Sequence, residues 1–132
     1  MLSGTWKNES TALFVVAYEF AADGALKVTV QGMGQPLDGR YSWTGDRTLQ
    51  MDFQASPDVR QAYRVAAKAY KDQLKDKIQA GKLYERAGPP MAAAVRDELP
   101  ATETFQVGLS EQPLLLILIN ENGVSQTFEK ED

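Results

Sequence analysis

The chain has 132 residues, 43% of them hydrophobic, and its 14 Lys+Arg against 18 Asp+Glu give a formal charge of −4. That composition suits one globular domain with a real core. There is no cysteine and no histidine, which removes thiol nucleophiles, histidine-assisted serine triads, thiolate or imidazole zinc sites and histidine-ligated haem, and leaves carboxylate, lysine and tyrosine chemistry.

The chain opens on LSGTW at Leu2, and a short strand is expected over residues 4–9. Neither a charged nor an apolar leader segment precedes it, so a secretion signal is expected to be absent or already removed, and a longer parent protein is open. Residues 13–20 (LFVVAYEF) and 25–31 (ALKVTVQ) are β-branched and aromatic runs. Between them Asp23-Gly24 supplies the positive φ of a tight hairpin. In the first run Phe14, Val16, Tyr18 and Phe20 make the stronger inward set, which turns Glu19 outward with Leu13, Val15 and Ala17. Gly32-Met33-Gly34 reads as a loop rather than a phosphate cradle, because Pro36 follows and no helix opens behind it. Asn8-Glu9-Ser10 is a formal glycosylation sequon that carries no weight alone.

Strands over residues 37–43 and 48–54 come next, joined by TGDR. Leu49, Met51 and Phe53 alternate with Gln50 and Asp52, and Tyr41 and Trp43 share a face opposite Arg40 and Ser42, so each strand has one inner and one wet side. Residues 57–99 then change period. Ser56-Pro57 is an N-cap followed by proline at the first helical position, and Val59, Tyr63, Ala66, Tyr70, Leu74 and Ile78 form one apolar stripe. Gly81 weakens this helix near its end, AGPP at residues 87–90 breaks it, and a second short helix with Met91 and Val95 inward is expected to stop at Leu99-Pro100. Between residues 57 and 88 eight basic side chains stand against four acidic ones. This surplus is read as a solvated helix face, not a nucleic-acid or membrane dock.

The last block repeats the β pattern over residues 104–109, 114–119 (LLLILI) and 124–130, with Asn122-Gly123 as the final turn. LLLILI is too short for a membrane span, which needs roughly 18 apolar residues. The expected fold is therefore mainly β: a single domain over residues 1–132, an eight-stranded antiparallel meander closed into a barrel or half-barrel, with a helical insertion at 57–99 between strands 5 and 6. LLLILI is apolar on both faces, so the tyrosine stripe of the insertion is expected to cover that wall. A homodimer through the outer strands is the competing solution.

Gly4-Thr5-Trp6, Phe20-Ala21-Ala22-Asp23-Gly24, Gly39-Arg40-Tyr41 and TGDRTLQM from Thr44 resemble the landmarks of bacterial lipocalin-like domains of the calycin type. The resemblance covers the β portions and not the insertion. It implies a noncatalytic barrel that binds a small apolar molecule or, alternatively, a protein-interaction or structural module of a larger cell-envelope protein with a filled core. It favours an extracytoplasmic or membrane-tethered parent. On this reading Tyr41, Trp43, Met51, Phe53 and Phe105 line the ligand site, Trp6 is a structural plug, and neither metal nor cofactor is required. Where the lipocalin pattern has an arginine over that tryptophan, TFEKED offers only Lys130, which keeps a cation near the ring without guanidinium stacking.

Overall fold

The computed structural model of the chain describes residues 3–8, 15–81, 96–112, 114–121, 123 and 125–131. The elements in chain order are β1 (Gly4–Lys7), β2 (Val15–Phe20), β3 (Ala25–Val30), β4 (Leu37–Trp43), β5 (Thr48–Gln54), α1 (Pro57–Gln79), β6 (Thr102–Glu111), β7 (Leu114–Ile119) and β8 (Ser125–Glu131). Each strand pairs antiparallel with the next, and β8 returns to β1, with Trp6 opposite Lys130, to close the barrel. The expected meander is present and is closed, so each of the described strands has a partner on both sides. Leu13, Phe14, Met91, Val95 and Asn122 lie outside the described residues. Residues 96–100, expected to end a second helix, are not helical.

Alternation puts the apolar face inside. Trp6, Phe20, Leu26, Leu37, Leu49, Met51, Leu116, Leu118 and Phe128 are each at most 2% exposed, while Glu19, Lys27, Asp38 and Arg40 stand outside. Charged exterior and apolar interior are the reverse of the arrangement by which β-barrels face lipid. No described helix is long and apolar enough to cross a membrane. Glu19 faces outward as the alternation requires, but Val15 does not. The β2–β3 register shifts between Val15 and Ala17, and this bulge turns Val15 to the inside.

The β2–β3 turn is fastened from the neighbouring strand. Gly24 takes φ +92°, the Asp23 carboxylate accepts from the Ala25 amide at 3.0 Å, and Arg40 donates to the Asp23 carbonyl at 2.8 Å. The Tyr41 hydroxyl donates to the Ala21 carbonyl, and its ring meets Phe20 edge-on at 5.0 Å. The F-x-x-D-G and G-R-Y stretches thus form one clasp. Gly39 permits β4 and β5 to approach closely: a Cβ there would stand 2.5 Å from the Asp52 carbonyl oxygen. Replacing Gly39 with alanine is expected to destabilise the fold by about 1–3 kcal/mol through overpacking. Urea unfolding reads this directly, and an unchanged midpoint would mean that the strands separate without penalty.

The barrel has two different ends. β2, β4, β6 and β8 begin at one end, where β3, β5 and β7 finish, and α1 lies across it as a cap. The Ser56 hydroxyl accepts from the Val59 amide at 3.3 Å with Pro57 behind it, which starts the helix as the sequence indicates. Tyr63, Ala66, Ala67, Tyr70 and Leu74 are buried in the same core as the barrel interior. Ala66 lies beside Gly32, and Gln31 donates to Gln73 at 3.1 Å, both at the β3–β4 loop on that rim. Tyr63, Ala66, Tyr70 and Leu74 of the stripe are buried as expected, with Val59 and Ile78 half-buried, but over the mouth and not over the outer wall. Leu115, Ile117 and Ile119 remain half-buried on that wall, between Ser110, Gly108 and Gln106 on β6 and Glu129, Thr127 and Ser125 on β8.

Candidate functional site

Beneath α1 the mouth holds a cavity of about 50 Å³. Its apolar wall includes Val15, Val28, Val30, Leu37, Phe53, Phe105 and Leu118, and Tyr18, Tyr63, Glu103, Asn120 and Gln126 supply polar groups. A buried water needs roughly 10–15 Å³ on this measure, so the space takes a body of about three or four heavy atoms. Apolar walls with a few converging polar groups are the usual form of a small-ligand site.

Glu103 is the unusual member. It alternates with Phe105 and Val107 on the inner face of β6, and its side chain is only 18% exposed. Burial pushes its carboxyl above the usual carboxylate range, the Arg96 guanidinium pulls it part of the way back, and Glu121 adds to the rise. Burial likewise holds the Tyr18 phenol well above its ordinary value, with Glu103 and Tyr63 adding to the effect. Tyr63 is raised by burial and by Glu103, against the opposing pull of Arg96. Both phenols are therefore neutral, polar tips on apolar bodies.

Residues 96–99 strap the cap to the rim. Arg96 spans Glu103 at 3.5 Å and Glu121 at 3.3 Å on the barrel. On the helix side Asp97 pairs with Lys71, Glu98 with Arg64 at 3.1 Å, and Arg60 donates to the Leu99 carbonyl at 3.2 Å. Leu99 itself is buried and lines the cavity. Three of the helix's basic side chains, Arg60, Arg64 and Lys71, are thus engaged by this strap.

The five residues expected to line one site are divided along the barrel. Phe53 and Phe105 face the mouth cavity. Met51 is fully buried in the packed interior. Tyr41 belongs to the clasp at the opposite end. Trp43, expected inside, is 40% exposed, because it ends β4 at the floor rim, roughly 13 Å along the strands from Phe53. There it joins Asp46, Arg47, Val107, Gly108 and Leu109 around an open cleft of about 320 Å³. Trp6 is 1% exposed with the Lys130 ammonium 5.8 Å from its ring centroid, the geometry of a plug under a cation. The sequence pattern places Tyr18 inward and Tyr63 on the buried helix stripe but neither at a ligand site, and it leaves Glu103, just ahead of the strand expected over residues 104–109, without an assignment.

The fold and site together define an eight-stranded antiparallel barrel with a helix between β5 and β6 and a small, partly open cavity at its mouth. No family model matches the chain, and no curated protein or solved structure is significantly similar to it.

Proposed function

We propose that the chain is a noncatalytic, lipocalin-like binding domain that holds a small amphipathic molecule in the mouth chamber. The observation that carries this reading is the chamber itself, a partly open space with a largely apolar wall, with Glu103, Tyr18 and Tyr63 among its lining residues. Phe53 and Phe105 contact the apolar body of the ligand. Tyr41, Trp43 and Met51 support the barrel away from it. The chamber is far below the roughly 300–1,000 Å³ of a drug-sized pocket, so the molecule is small unless the cap lifts.

Propan-1-ol, with four heavy atoms, is a fitting probe. Titration followed by amide NMR shifts is expected to saturate, with the largest changes at Val30, Phe53, Glu103 and Phe105. Shifts that rise without saturation, or that gather at the floor rim, would overturn the reading. The second reading, a filled structural or interaction module of a larger cell-envelope protein, is favoured by the packed interior, where Leu49, Met51, Leu116 and Phe128 have no exposure at all. A protein whose spectra propan-1-ol leaves unchanged would fit that module.

A further inference from the structure

We infer that the chamber prefers a small primary ammonium with a short apolar tail, and that Glu103 is its counter-ion; this rests on the mouth-chamber reading above. The argument is one of charge and reach. Glu103 lines the chamber and is largely buried. The cation beside it, Arg96, is shared with Glu121, at 3.5 Å to one carboxylate and 3.3 Å to the other. Well-formed charge-assisted hydrogen bonds of this kind run to about 2.7–2.9 Å, so one guanidinium is divided between two carboxylates at longer range.

The other charges around the strap are already matched. Asp97 has Lys71 and Glu98 has Arg64, while Tyr18 and Tyr63, facing Glu103 from β2 and α1, are neutral phenols. Among the described residues, two carboxylates and one guanidinium leave this corner one negative charge in excess. A largely buried carboxylate whose single guanidinium is shared with a second carboxylate is only partly compensated, and an ammonium entering the chamber adds to that compensation. An anionic head would meet repulsion from Glu103. A neutral hydroxyl fits the space but adds no compensating charge. The tail then lies along Val28, Val30, Leu37, Phe53 and Phe105.

The pH dependence has a definite sign. A carboxyl whose pKa is raised on folding holds its proton more tightly in the folded chain, so this contribution to stability is present at acid pH and is lost as pH rises through that range. Ammonium binding instead needs the ionised carboxylate. Its affinity should therefore climb as Glu103 deprotonates and fall again on acidification.

The test compares propylammonium, propan-1-ol and propionate on the unaltered chain and on Glu103→Gln, by NMR titration from acid pH to about pH 8. On the unaltered chain propylammonium is expected to bind about tenfold or more tightly than propan-1-ol, from the worth of a hydrogen bond to a charged group, and propionate least. Glu103→Gln keeps the shape of the side chain and removes its charge, so the preference for ammonium over alcohol and its pH dependence vanish. Equal affinity for alcohol and ammonium, or a preference that survives Glu103→Gln, overturns the counter-ion assignment and leaves the chamber reading standing. Failure of all three probes to bind the unaltered chain overturns both.

Discussion

Replacing Trp6 with alanine is expected to lower the unfolding free energy by about 3–5 kcal/mol, the range for truncating a large, fully buried aromatic side chain. Trp6 is 1% exposed and stands on a strand of only four residues that must pair with both β2 and β8 to close the barrel. The chain turns into that strand through Gly4 at φ +118°, where a Cβ would come within 3.1 Å of Lys130 Cε. Loss of the indole therefore opens a void at the seam and removes the ring beneath the Lys130 ammonium. The loss is read as a shift in the denaturation midpoint. Fluorescence supplies a second readout, because the chain's only other tryptophan is Trp43, 40% exposed. The variant's remaining emission should be red-shifted and readily quenched by iodide. A loss below about 1 kcal/mol, small against the core-truncation range, would mean that the floor is sealed by other side chains.

Much of the barrel is legible in the sequence because period-two alternation, turn glycines and an N-cap are local. Asp23-Gly24, Ser56-Pro57 and the Leu49, Met51, Phe53 series each state their conformation within a few residues. Glu103 was also within reach. It shares parity with Phe105 and Val107, so extending β6 two residues toward its start places a carboxylate on the inner face. What alternation does not carry is depth. Trp43 has the inward parity of Tyr41, yet it sits past the end of the packed interior, because barrel stagger decides which inward residue is covered. The bulge before Ala17 is equally silent, since one extra residue in a uniformly apolar run leaves no mark in the pattern. The destination of the helix fails for a related reason. An apolar stripe announces that it will be buried, not against what, and the closed barrel offered a mouth as well as a wall.

Truncating Tyr63 to alanine is the sharper test of that capping arrangement, with an expected loss of about 2–4 kcal/mol, toward the lower side of the large-to-small range because the site opens onto an existing cavity. Tyr63 is 7% exposed and is the buried α1 residue that reaches the chamber wall. The barrel is closed by β1–β8 pairing without any help from α1, whereas the helix is held by one face of five buried residues and the 96–99 strap. The loss should therefore concentrate in the cap. Amide exchange along α1 is expected to accelerate by roughly 30- to 1,000-fold if the whole loss acts on local opening, while β4, β5 and β7 keep most of their protection. A chamber that opens this way should also admit ligands longer than propan-1-ol, which couples the exchange result to binding. Equal acceleration across helix and strands would show that α1 and the barrel unfold as one unit, and that ligand entry does not proceed by lifting the cap.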